Sequence, residues 1–561
     1  MKKILPFLLI LCLFAACASP ASPSPSEQPP VEGEPSPLED PSPSPNETFD
    51  LESVQFMETI QLDQLGYRPD DPKKAIVPAA AAEFKVVRLS DSTVVYSAQS
   101  GNSEFSAASL ETVRKADFSE VSETGEYCLV TDEGKSHPFL IDANPYGDLR
   151  YATLNFFNYQ KCGVALDMGV WSHEACHTEP ASVLDQDGQP TGVVLDVSGG
   201  WHDAGDYGRY IVPAAQAVAQ LLLAYELSPN PDEELLEITW FEIEWMLKMQ
   251  DAESGGVYHK VSCKNFNALD QMPDKERGEL VICPISMTAT ADFAASMALA
   301  SRFYPEQKDR LMEAAVKAWE WCEANPDAPG FNNPKGVSTG EYGDGNLRDE
   351  RFWAACELFA ATGEERYHDY LKANDSSLGL GWADMGTYGV AAYLFQTGDS
   401  ADAELTETMR SKLLASAAKI LSACELDPYG ISLGTDYYWG SNMGIGNNAM
   451  TLLLANLLEP NEEYVKAALE HLHYLLGKNA LNQSYISGYG EKAMQNPHHR
   501  PSVAAKAAVP GMVAGGPNAN TSQDSKLNAT RTGEPPMKCY IDDIDSYASN
   551  EITIYWNSPV Y

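Results

Sequence analysis

Between residues 57 and 143, apolar and polar positions alternate in short runs such as "AIVPA", "FKVVRLS", "TVVYSA", "GEYCLVT" and "HPFLID". Turn residues separate them, in "RPDDPKK", "ETGEY" and "DEGKSH". Successive side chains on a strand face opposite sides, so a period of two marks strands buried on one face. Strands at this spacing predict a small all-β sandwich over residues 55–144. From Pro145 onward the period lengthens. "PAAQAVAQLLLAYEL", "ELLEITWFEIEWMLKMQ", "PISMTATADFAASMALASRFY", "DRLMEAAVKAWEWCEAN", "RFWAACELFAATG", "ELTETMRSKLLASAAKILSA" and "NAMTLLLANLL" read as helices, most with an apolar stripe at helical spacing. Long aromatic-rich loops join them. Residues 145–561 hold too many paired helices for a simple bundle, and periodicity establishes a large, mostly α domain. A closed ring of helical hairpins would bury every helix and gather the loops at one end.

The first fifty residues fit neither pattern. "MKKILPFLLILCLFAACASP" has two lysines, a short apolar run and small residues ending at Cys17, which is an export signal over 1–17. Ala15-Ala16-Cys17 resembles the bacterial lipobox, whose cysteine is lipidated after cleavage; full secretion is the alternative. Residues 18–54 are rich in proline, serine and acid, too poor in apolar residues to bury a core, and read as an extended tether. The expected address is extracellular, at the cell surface, with membrane contact only through the lipid anchor. The 561-residue chain carries a net charge of −42, which repels nucleic acid and anionic lipid but not a neutral polysaccharide. Its eleven cysteines show no framework of close pairs. The chain is expected to act as a monomer without an organic cofactor.

Chemistry concentrates in three stretches: "GGWHDAGDYGRY" (199–210), "SYISGYGEKAMQNPHHRPS" (484–502) and "YIDDIDSYASNEITIYWNS" (540–558). The first sets Asp203 and Asp206 three apart between glycines and aromatics. Taken alone it is also compatible with a turn whose aspartates bond their own backbone. Ser484, Ile486, Ser487, Gly490, Lys492, Pro497, His498 and Arg500 in the second, with Tyr540, Asp542, Tyr547, Glu551, Thr553, Asn557 and Ser558 in the third, resemble the two signatures of glycoside hydrolase family 9, inverting cellulases. Residues 57–143 are similar to the immunoglobulin-like module that precedes many of these enzymes.

The resemblance implies an (α/α)6 barrel after the sandwich and an inverting endo-β-1,4-glucanase acting on β-glucan polysaccharide or oligosaccharide. Inversion needs one carboxylic acid to protonate the leaving oxygen and one carboxylate to deprotonate a water on the opposite ring face. By resemblance Asp206 is the base, Asp203 helps hold the water and Glu551 is the acid. His498 and Asp542, from the same signatures, join the catalytic set, and Arg500 joins His498 in donating to sugar hydroxyls. Trp201, Tyr207, Tyr258, His259, Trp439 and Trp556 are candidate sugar platforms. Cys162, Cys176, His177 and His202 offer two thiolates and two imidazoles, a favoured zinc set; their spacing equally allows a Cys162–Cys176 disulfide, and some relatives with the immunoglobulin-like module carry such a zinc. Asp344, Asp349, Glu350 and Asp384 resemble segments that ligate calcium in relatives. An exo-acting β-glycosidase on oligosaccharides and a non-catalytic glycan-binding surface lipoprotein are the competing readings; the presence of all three carboxylates argues against the second.

Overall fold

A computed structural model describes residues 48–561. The export signal, its cysteine and most of the expected tether lie outside the described residues. The end of the 18–54 segment differs from a tether. Phe49, Leu51 and Val54 pack on Val87, Val94 and Cys128, and the Phe49 N–H donates to the Ser92 carbonyl at 2.8 Å. These are the first apolar side chains among the described residues, and they join a core.

The sandwich has two sheets. One has the order β1 (Gly66–Tyr67), β8 (Phe139–Ile141), β7 (Gly125–Val130), β3 (Glu83–Arg88), β4 (Val94–Gln99); the other runs β2 (Lys74–Pro78), β6 (Glu111–Asp117), β5 (Glu104–Ser106). Their inner faces close over Ile60, Tyr67, Phe84, Val86, Phe118, Tyr127, Leu129 and Phe139, the alternate positions that the period of two marks.

The second region is a ring of helix pairs. The helices that build the ring are α1 (Gly147–Tyr159), α2 (Ile211–Leu227), α3 (Glu233–Lys248), α4 (Met287–Ala300), α5 (Lys308–Ala324), α6 (Asp349–Thr362), α7 (Glu365–Ala373), α8 (Gly386–Gln396), α9 (Ala403–Leu426), α10 (Ser441–Leu458), α11 (Glu462–Leu475) and the short α12 (Ile554–Asn557), with three further short helices in the loops. The inner helices touch in sequence, α2 to α4, α4 to α6, α6 to α8. From α8 the chain passes through α9 to α10, and α12 touches both α10 and α2, closing the circle. This is an (α/α)6 barrel. The inner helices α2, α4, α6 and α8 are buried along most of their length. Every residue of α4, "MTATADFAASMALA", is buried, and its small side chains let neighbours approach closely. The outer α5 instead buries only Leu311, Ala314, Ala315, Ala318, Trp319 and Cys322, one stripe.

Inner helices all run the same way, so their N-terminal ends collect at one end of the barrel. The stretches 199–210, 258–286, 339–348, 379–385, 438–440 and 551–553 each lead into one of them. A sheet that helical periodicity does not reveal lies among these loops. It contains β9 (Ala181–Leu184), β10 (Pro190–Leu195), β11 (Arg209–Tyr210), β12 (Lys260–Cys263) and β13 (Leu280–Ile282), ordered β10-β9-β13-β12-β11. Two- to six-residue strands are too short to show a period. The sandwich docks on the barrel through buried polar contacts. Asp63 and His473 pair at 2.8 Å, 0% and 1% exposed, and the Tyr146 hydroxyl donates to Asp63 at 3.2 Å. Among the described residues no helix is long and apolar enough to cross a membrane.

Candidate functional site

The loop from Gly199 to Gly208 is held from every side. Gly200 has φ +77°, and a β-carbon there would lie 2.6 Å from the Trp245 ring. At Gly205 a β-carbon would lie 2.0 Å from the His498 carbonyl oxygen and 3.3 Å from Glu551 Oε1, so only hydrogen fits where this loop meets the other two signature stretches. Gln160 Nε2 donates to the His202 and Ala204 carbonyls, both at 3.0 Å. The Trp201 N–H donates to Glu242 Oε2 at 2.5 Å, Arg500 Nη1 donates to the Gly205 carbonyl at 2.7 Å, and the Ile554 N–H donates to the Asp203 carbonyl at 2.8 Å.

This frame brings Asp203, Asp206 and Glu551 together. Asp206 Oδ2 accepts the Gly208 N–H and the Tyr210 hydroxyl, each at 3.1 Å. Burial still lifts its pKa above the ordinary aspartate value, against the opposing pull of Arg500 and those two donors. Asp203 is 2% exposed; its Oδ2 accepts the Tyr342 hydroxyl at 2.5 Å and its Oδ1 has no partner. Burial and the Asp206 charge push Asp203 well up. Glu551 precedes α12 and is pushed well above the ordinary glutamate value by burial, then by Asp206, with Arg500 opposing. The arrangement therefore contains a carboxyl group held by two donors whose pull only partly offsets its burial, a second with one oxygen buried and unpartnered, and a third that favours its proton. That is a general acid–base set.

Tyr342 was not among the sequence candidates. It sits at φ +47°, a conformation rare for a residue with a β-carbon, and its hydroxyl is 3.4 Å from that of Tyr555. Its signal in the sequence is positional: "TGEYGDG" leads into α6 as "GDYGRY" leads into α2.

The remaining candidates fall into different places. His498 Nδ1 lies 2.6 Å from the Ile544 carbonyl, leaving Nε2 without a partner among the described residues. Arg500 is 5% exposed and donates to the carbonyls of Gly205 and Asn267, so its geometry is that of a loop clamp beside Asp206 and not of a hand open to sugar. Asp542 accepts the N–H groups of Gln495 and Asn496 at 2.8 and 2.7 Å and Asn550 Nδ2 at 3.1 Å; it ties the His498 turn to the Glu551 segment. Trp439 is 39% exposed and packs on Tyr547, which in turn meets His498. Trp201 is core against Phe157. His259 is fully buried, stacked on Phe331 at 3.7 Å with its nitrogens on Ser286 and the Glu341 carbonyl. Neither has a free face for sugar, because inner-ring loops bury whatever points into the barrel. Trp556, Tyr258 and Tyr207 are likewise buried: Trp556 lies under Gly440 and Gly515, Tyr258 reaches Asp251 and Tyr207 donates to the Gln271 carbonyl.

Cys162, Cys176, His177 and His202 bring their ligand atoms within 4.8 Å of one another. The sulfurs are 3.8 Å apart, far beyond a disulfide bond. Cys162 Sγ is 3.5 Å from His177 Nδ1 and Cys176 Sγ is 3.7 Å from His202 Nε2. Such separations are those between corners of a tetrahedron around zinc, and His177 Nε2 reaches Glu276 at 2.8 Å, the outer carboxylate that orients a metal-binding imidazole. Asp344, Asp349, Glu350 and Asp384 do not form a comparable cluster; among the described residues the cysteine–histidine group is the one in which three or more such ligands converge. Asp349 accepts the Met385 N–H and Asn346 Nδ2, Asp384 accepts the Gly386 N–H, and Asp344 accepts the Asn346 N–H. Glu350 and the neighbouring Asp292 are buried without partners on any carboxyl oxygen.

Residues 146–561 match the family model described as "Glycosyl hydrolase family 9", and residues 55–136 match "Cellulase N-terminal ig-like domain". The chain is similar to a cellodextrinase of Butyrivibrio fibrisolvens, 36% identical over 554 residues that cover 90% of this chain and 98% of that protein. Among solved structures it resembles a thermostable endoglucanase from Alicyclobacillus acidocaldarius, TM-score 0.84 at 37% identity, covering 90% of this chain and 98% of that one. It also resembles a Zn-binding triple mutant of the family 9 endoglucanase J30, TM-score 0.82 at 32% identity, covering 88% and 98%.

Proposed function

The chain belongs to glycosyl hydrolase family 9, and from that premise we propose that it cleaves internal β-1,4-glucosidic bonds of cellulose or related β-glucans with inversion. Glu551 delivers its proton to the leaving glycosidic oxygen. Asp206 takes a proton from a water on the opposite ring face, and Asp203 orients that water through the oxygen left free by Tyr342. His498 Nε2 is placed to hold a sugar hydroxyl, and Trp439 to stack on a ring. The observation that supports this reading is the contrast across Gly205. There a donor-stabilised Asp206 faces a Glu551 that favours its proton. Proton NMR during the first minutes on a soluble β-glucan tests it: α-configured product appears first. Initial β product would overturn the inverting assignment. Early products of mixed length support endo action, whereas a single small product would favour trimming of oligosaccharides, the activity named in the Butyrivibrio relative.

Cys162, Cys176, His177 and His202 would hold zinc with no ligand position left open, a structural metal behind the loop of Asp203 and Asp206. The unpartnered carboxyls of Glu350 and Asp292, with Asp344 and Asp349 nearby, support a calcium ion there; a calcium-selective chelator would then lower the melting temperature, and an unchanged one would dismiss it. The protein works outside the cell, held there through Cys17.

A further inference from the structure

We propose that Lys260 is a positioning residue for hydrolysis, its buried ammonium holding in place Tyr210 and Tyr342, the tyrosines that orient Asp206 and Asp203. The inference rests on the hydrolase reading above. Lys260 follows His259 in "GGVYHKV" and lies on β12, fully buried. Its Nζ donates to Thr339 Oγ1 at 3.0 Å, the Thr339 carbonyl at 3.3 Å and the Gly340 carbonyl at 2.5 Å. Among the described residues no carboxylate is bonded to it; its charge rests on carbonyl dipoles and on the faces of Tyr210 and Phe331, 5.3 and 5.8 Å from the ring centres.

Both ends of this grip reach the catalytic carboxylates. On one side, Lys260 is the cross-strand partner of Tyr210 in the β11–β12 register, and the Tyr210 hydroxyl donates to Asp206. On the other, Thr339 and Gly340 lead directly to Tyr342, whose hydroxyl donates to Asp203. A tyrosine at φ +47° persists only where its surroundings over-determine it. Lys260 fixes the carbonyls three and two residues before it, Ser262 Oγ meets Thr339 Oγ1 at 2.8 Å, and Asn333 Nδ2 donates to the Thr339 carbonyl at 2.7 Å. The two tyrosine rings meet edge-on at 5.0 Å, and a β-carbon at Gly340 would lie 3.1 Å from the Tyr210 hydroxyl. The lysine, two tyrosines and two aspartates form one continuous packed path. Burial lowers the Lys260 pKa to about 8, while Cys283, Asp206 and Glu341 pull it back up, so the cation persists at neutral pH.

The test is a double-mutant cycle on the full chain with a soluble β-glucan, using K260M and Y342F. K260M removes the charge and all three donors at nearly constant volume. Its kcat should fall about ten- to a hundredfold, the scale of a misplacement near 1 Å, with KM within about twofold. Zinc content and the far-ultraviolet dichroism should match the unmodified chain. Adding Y342F to K260M should cost less than the product of the two single losses, because one of the two routes by which Lys260 acts is the Tyr342 contact with Asp203 that Y342F already removes. K260R should recover part of kcat. Unchanged kcat in K260M would overturn the proposal. So would losses that multiply in the double mutant, since a general loss of packing combines independently. If K260M fails to fold, K260Q, which retains N–H donors toward Thr339 and Gly340, takes its place under the same criterion. An unmodified chain that does not hydrolyse β-glucan would instead overturn the hydrolase reading itself.

Discussion

In the proposed reaction Glu551 and Asp206 face one substrate and need opposite protonation states. E551Q removes the proton donor, and turnover on β-glucan should fall about a hundred- to ten-thousandfold. On an aryl glycoside whose leaving group departs without a proton the loss should be much smaller; equal losses on both substrates would remove Glu551 from the acid role. The same residue carries a stability signature. Its folded-state pKa is raised by burial and by Asp206, so the folded state binds the proton more tightly than the unfolded chain. Its favourable contribution is then complete below the ordinary glutamate pKa of about 4.3 and is lost as pH rises toward the folded value. E551Q should melt higher than the unmodified protein at pH 7, and the difference should vanish near pH 4. In kinetics, Asp206 must be ionised and Glu551 protonated. Since both are raised, both limbs of the kcat/KM profile should lie above the ordinary carboxylate range, with apparent values belonging to the coupled group.

The loop from Gly199 to Gly208 is the element on which chemistry depends, because it joins the cysteine–histidine cluster through His202 to both aspartates. C176S should abolish tight binding of about one zinc per chain, lower the melting temperature and depress turnover through the loosened loop, measured by metal analysis, calorimetry and rate. A Cys162–Cys176 disulfide found by mass spectrometry would end the zinc assignment. G205A puts a β-carbon where the His498 carbonyl oxygen stands. The loop must then retreat from Glu551, and kcat should drop by about a hundredfold or more with the barrel still folded; activity near that of the unmodified chain would mean the three stretches are not held in register there.

Across the whole molecule, the sandwich and barrel share a buried contact centred on Asp63, which accepts from Leu65, Gly66 and Tyr146 and pairs with His473. D63A leaves the Gly66 N–H and His473 Nδ1 buried without their partner, at about 1–3 kcal/mol for each neutral group. It should lower the melting temperature by several degrees, read by calorimetry, although Asp63 lies outside the catalytic set.

The periodicities and motifs in the sequence carry a great deal. A period of two and then of 3.6 separate the sandwich from the helical domain, since side-chain direction is a local property of the backbone. Three spaced motifs supply Asp203, Asp206 and Glu551, because acid–base chemistry needs those residue types and the family signatures are dense. The local pattern could not say which aromatic residues face the cleft. Trp201 and His259 stand in glycine-flanked, aromatic stretches that resemble sugar platforms, yet the inner ring encloses them, and enclosure depends on helices hundreds of residues away. Tyr342 and Lys260 are not marked by the local pattern for the same reason. One works through a left-handed backbone position and the other from a four-residue strand paired with a two-residue one, and neither feature has a periodic signal. Cys162 and Cys176 could be read from sequence as either zinc ligands or a disulfide, and a sulfur separation of 3.8 Å is a quantity that exists only once the chain has closed on itself.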